Sequence, residues 1–163
     1  MTGGSQDRQA TDSLRQLAEL VRQESSDGAR LVSNLEDNPI CRVTLDAAVP
    51  CIFVVWQRYA TSAQLRFVYE RMLEMLRRKQ INMILGDDSS LALIHVEDQV
   101  WLREDWMPRA VAAGLKASAS KCPSAFFGKQ SVANVQSGAP AGVVLRSFET
   151  LLEAKSWLHG LAS

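Results

Sequence analysis

The chain has 163 residues, 47% of them hydrophobic, and its 18 Lys and Arg balance 18 Asp and Glu to give zero formal net charge. That length suits one domain with a tail. The balanced charge excludes a disordered acidic tract and a nucleic-acid-coating protein.

Residues 1–10 are small and polar and read as a flexible leader. Residues 11–38 read as an amphipathic helix and a linker. Leu14, Leu17, Leu20 and Val21 recur at helical spacing, Ser13 and Gln16 stand as a capping box, and ESSDGARLVSNLEDNP follows as punctuation. The stripe of this amino-terminal helix needs a surface to cover it, which makes it the candidate interface of a homodimer.

From residue 39 to 160 the texture is that of a single folded domain. ICRVTLDA alternates as an edge or half-exposed strand does, CIFVVWQRY is apolar throughout as a buried strand is, and the short AAVP connection joins them as a hairpin. Cys41 and Cys51 then fall at opposite ends of it. TSAQLRFVYERMLEMLRRK is the clearest helix: Thr61 and Gln64 form a capping box, Leu65, Val68, Met72, Met75 and Leu76 share a face, and three basic residues suit its carboxyl end. INMILGD is a strand reached through that crossover, hence parallel to its neighbour. A helix begins at VEDQVW and finishes at Gly114, with Pro108 expected to kink or restart it. LKASASKCP is a weakly marked strand, SAFFGKQSVANVQSG a turn and short helix, GVVLRSF a further strand. TLLEAKSWLHGL is a closing helix with Thr150 and Glu153 as its capping box. The fold class is α/β: a mixed sheet of about five strands, with a leading β-hairpin and then α-β crossovers, flanked by helices and preceded by the extra amino-terminal helix.

Chemistry concentrates after the third of these strands, where Asp87, Asp88, Ser89 and Ser90 are followed by His95, Glu97 and Asp98. Ligands of open α/β sheets bind beyond carboxyl strand ends. Asp and Ser also make side-chain turns and caps with no further role, which is the simpler reading. A phosphoaspartate site of the receiver type is incomplete: Lys121 is the single candidate lysine, and the preceding strand ends in Gln57-Arg58 rather than in acids. Two histidines are too few for a metal site, although His95, Asp87 and Glu97 have room to approach one another. Cys41, Cys51 and Cys122 lack Cys-x-x-Cys spacing, so neither a disulfide framework nor zinc is indicated. No phosphate-binding loop, nucleophile elbow or zinc-protease motif occurs, so the expectation is no enzymatic activity, no metal and no cofactor. Trp101 and Trp157 suit packing, whereas Trp106, beside Pro108, is the tryptophan expected at the surface. No uninterrupted apolar run reaches the roughly 18 residues of a membrane span and no secretory leader opens the chain, so a cytoplasmic protein is expected.

The segments FVVWQRYATSAQLR, ILGDDSSLALIHVEDQVWLREDWMPRAVAAGLK, FGKQSVANV and RSFETLLEAKSWL, from Ile40 to Leu158, resemble the STAS domain of bacterial anti-sigma-factor antagonists. They also resemble the wider group of STAS-like and CRAL-TRIO-like domains, and most of all an uncharacterised bacterial STAS-like family. The resemblance implies a regulatory or scaffold module acting through an unidentified protein partner. The CRAL-TRIO-like likeness, with Met72 and Met75, implies as an alternative a pocket for a small apolar ligand or lipid. A third alternative is phosphorylation-switched antagonism at Ser89 or Ser90. The family's Asp-Ser-Ser-Gly pattern lacks its glycine here, because Leu91 follows, and the helix opens at His95 or Val96 rather than at a serine.

Overall fold

The computed structural model describes residues 30–35, 38–46, 48–91 and 93–162. The expected leader and amino-terminal helix, and with them the homodimer interface, lie outside the described residues.

Six strands form one sheet whose order in space is their order in sequence: β1 (Arg30–Leu35), β2 (Asn38–Asp46), β3 (Cys51–Trp56), β4 (Met83–Asp87), β5 (Ala117–Lys121) and β6 (Val144–Phe148). β1, β2 and β3 run antiparallel, and β3 through β6 run parallel. The segment read as linker therefore contains a strand, the sheet has six strands rather than about five, and β2 is no edge because β1 pairs along it. The expected hairpin forms in the register Cys41↔Trp56 to Asp46↔Cys51, which sets the two cysteines at its opposite ends.

Each parallel strand is reached by a helical crossover. α1 (Ser62–Lys79) opens on the Thr61–Gln64 capping box, and Leu65, Val68, Met72, Met75 and Leu76 are buried along one face. The second crossover is one rod built of α2 (Val96–Trp101), a wide π turn (Leu102–Trp106) and α3 (Met107–Ala112). The Met107 amide reaches back five residues to the Leu102 carbonyl. Pro108 has no N–H to give, and its ring would press on the carbonyl four residues earlier. The widened turn before it absorbs that conflict, so the rod continues instead of breaking. It ends at Gly114, whose φ of 110° favours glycine. α4 (Phe126–Ser137) makes the third crossover, and α5 (Leu151–Ala162) closes the fold on the Thr150–Glu153 box.

Successive crossovers of one hand between neighbouring strands place their helices on one face of the sheet. The main core forms there: Ile52, Val54 and Trp56 of β3 and Ile84 of β4 meet α1, the rod and α4. On the other face, Cys51, Met83, Leu85, Ala117 and Ala119 meet Ala154 and Leu158 of α5. Among the described residues no helix is long and apolar enough to cross a membrane.

Candidate functional site

The carboxyl ends of β3, β4 and β5 and the chain that leaves them form one surface. At the end of β4, Asp87 Oδ1 accepts from the Ser89 amide at 3.1 Å and from the Ser89 hydroxyl, a side-chain turn that uses both residues locally. The turn is closed by the Leu91 amide on the Asp88 carbonyl at 2.9 Å. The Ser90 side chain is exposed. Lys121 stands in register beside Asp87 across β4 and β5, and the Asp88 amide donates to the Lys121 carbonyl at 3.3 Å.

Asp88 has a different environment from its neighbour. It lines a cavity of about 80 Å³ between the sheet and the helices, walled by Val54, Ile84, Leu91, Leu102, Trp106 and Val132. Gly86 leaves this space open: a Cβ added there would stand 3.3 Å from Asp88 Oδ1 and 3.7 Å from Ser120 Cβ. The residue as a whole is half-buried, yet burial of the carboxyl, helped by the Asp87 charge, pushes its pKa up from 3.8 to about 7. Burial also pushes up the Tyr69 phenol and the Cys41 thiol, and the Asp88 charge adds to both. Cys51 is pushed up to about 12 by burial and by Asp46. Neither of these two thiols is ionised near neutral pH, so neither is primed as a nucleophile.

An acid whose folded pKa lies above its unfolded one holds its proton more tightly when folded. The contribution of this group to stability is therefore full below about pH 4 and is lost as pH rises through about 7. Asp88→Asn is expected to be more stable than wild type by about 1–2 kcal/mol near pH 8 and to match it near pH 4, as checked by urea denaturation at both values. Equal stability at both would mean that the Asp88 carboxylate carries no burial penalty.

Ser120 of β5 and Gln136 of α4 line the cavity, and Ser147 of β6 ties them together. Gln136 Nε2 donates to Ser147 Oγ at 2.7 Å, Ser147 Oγ donates to Gln136 Oε1 at 3.0 Å, and Ser120 and Ser147 hydroxyls meet at 3.2 Å. These residues were not among the sequence candidates, because small serines in a weakly marked strand look like spacers until the sheet is assembled.

The other candidates separate. His95 is the residue before α2, as expected, and its Nε2 lies 2.7 Å from Tyr59 Oη, with the two rings edge-on. Glu97 is exposed. Among the described residues no group of three or more His, Cys, Asp or Glu is arranged to hold a metal ion. Asp98 is no interaction residue: it is 1% exposed, where it accepts from Arg66 Nε at 2.8 Å and from the Ser62 hydroxyl, joining α2 to α1. Trp106 also requires correction. It is 2% exposed rather than at the surface, its indole N–H donates to the Tyr69 carbonyl at 2.7 Å, and its ring meets Tyr69 edge-on at 4.8 Å. Pro108 does not turn the tryptophan outward, because the wide turn keeps the rod continuous across it.

Exposed apolar side chains border this surface. Phe126 and Phe127, at the start of α4, are 72% and 69% exposed, Val96 is 72% exposed, and Tyr59 and Leu93 are also exposed. Ser131 holds these segments together, its hydroxyl donating to the Phe127 carbonyl at 2.7 Å and lying 3.3 Å from both the carbonyl and the amide of Ile94. No family model matches this chain, and no curated protein sequence matches it.

Proposed function

We propose that this chain is a STAS-like, non-enzymatic regulatory module that works by associating with a different protein through the carboxyl ends of its parallel strands. The observation that carries the reading is the apolar group Tyr59, Leu93, Val96, Phe126 and Phe127, contributed by the segments after β3, β4 and β5. Single exposed apolar residues are ordinary on protein surfaces, whereas several drawn from three successive connections mark a recognition surface. Aromatic side chains supply much of the energy at such surfaces. The α/β fold is compatible with the STAS likeness, under which the corner after β4 would hold the switch. Ser89 is engaged by Asp87 and Ser90 is open to solvent, so Ser90 is the more accessible hydroxyl for a phosphorylation switch.

The test is in-cell cross-linking of the full chain against the double variant Phe126→Ser/Phe127→Ser, with sedimentation to read self-association. Exposed substitutions of this kind change stability by about 0.5 kcal/mol or less. The expected result is loss of a cross-linked partner with an unchanged thermal midpoint. An identical cross-linked set from both proteins, or a cross-link only to a second copy of the chain, would overturn the reading.

A further inference from the structure

We propose that the cavity bounded by Asp88 binds a compact aliphatic primary amine in its ammonium form, about three to five heavy atoms in size, with the charge on Asp88 and the body against Trp106, Ile84 and Leu91. The proposal does not rest on the association reading, whose exposed apolar side chains are not among the residues lining the cavity.

Three features of the cavity select this class. The first is charge: no Lys, Arg or His is among its described lining residues, and among the described residues no hydrogen bond or cation reaches the Asp88 carboxyl. A carboxylate in apolar surroundings either keeps its proton or acquires a cation, and a ligand that brings its own cation satisfies it directly. The second is shape. About 80 Å³ is room for two or three waters at roughly 30 Å³ each, or for a short branched alkyl group, and is about half the engineered cavity that admits benzene. The third is the distribution of polarity. Asp88, Ser118 and Gln136 are half-buried, while Leu91, Leu102 and Trp106 are buried. Asp88 Oδ1 and Ser120 Cβ both flank the space beside Gly86, so polar groups gather at one part of a mostly apolar cavity, the order in which an amphiphilic cation is held. The Ser120 side chain, beside Gly86 and the Asp88 carboxyl, lines the cavity as an acceptor for a remaining ammonium proton. An anionic ligand finds no complementary charge there, and an apolar ligand leaves the carboxyl unsatisfied.

The probe is isobutylamine, against isobutanol as its neutral counterpart of equal heavy-atom count, titrated into the full-length chain near pH 8, where Asp88 is ionised and the amine protonated. Amide shifts of Gly86 and Ser120 report occupancy by NMR. Saturable binding is expected with a dissociation constant on the order of 0.1–1 mM. Isobutanol should bind at least about tenfold more weakly, and Asp88→Asn should weaken the amine by a similar factor. Gly86→Ala, which adds a methyl beside the carboxyl, should weaken it as well. The proposal is overturned by equal affinity for the amine and the alcohol, by undiminished binding to Asp88→Asn, or by no saturable binding of the amine.

Discussion

Replacing Trp106 by alanine is expected to lower stability by about 3–5 kcal/mol, the range for emptying a buried aromatic site. For a chain of this length that is a fall of roughly 10 °C in thermal midpoint. Trp106 sits on the π turn with its ring against Tyr69 of α1 and its N–H on the Tyr69 carbonyl, so it joins the first and second crossovers directly. It also walls the cavity, so the alanine variant enlarges an existing space instead of opening a new one. Trp106→Phe separates the two contributions. It retains most of the packing, forfeits the hydrogen bond, and should cost about 1–2 kcal/mol. Urea denaturation of both variants supplies the check. An alanine variant within about 1 kcal/mol of wild type would show that the rod is held elsewhere.

Arg66→Ala is expected to cost more than Asp98→Asn, about 2–4 against about 1–2 kcal/mol, although both break the same pair. The difference follows from where each partner is left. The Asp98 side chain is 2% exposed and Arg66 40% exposed, so removal of the arginine strands a buried carboxylate on the Ser62 hydroxyl alone. Removal of the carboxylate leaves a guanidinium that turns to water and keeps its place over the Trp101 ring, 5.0 Å from its centre. Arg66→Lys should recover part of the loss, because it restores the charge without the Nε geometry. Equal destabilisation by the two substitutions in chemical denaturation would refute this asymmetry.

Elements whose burial follows a dense apolar period were legible from sequence alone. α1 and α5 start at the capping boxes read from the sequence, and β3 is buried where its run is continuous. β1 was lost because Ser, Asn and Asp around it punctuate a chain as loops do, while its pairing with β2 depends on a partner no local pattern names. Trp106 was misplaced although the signal existed: Leu102, Trp106 and Ala110 stand four apart, the spacing of one buried stripe. Asp98 lies four residues before Leu102 on the same side, and a polar residue within a buried stripe calls for a partner, but the identity of that partner is a tertiary fact. At the corner after β4, the turn made by Asp87 and Ser89 follows from residue type. The separate surroundings of Asp88 do not, since they depend on helices from three other parts of the chain.

The sheet's spatial order has a consequence for synthesis. A ribosome delivers β1 to β6 in the sequence in which they pair, so each strand can dock on the free edge left by its predecessor and none waits for a later strand to be inserted between neighbours. The second core is the exception. Met83 and Leu85 emerge long before Ala154 and Leu158, which cover them. A nascent chain stalled after β6 would carry that row of side chains without its helix, the stage at which this protein would most need a chaperone.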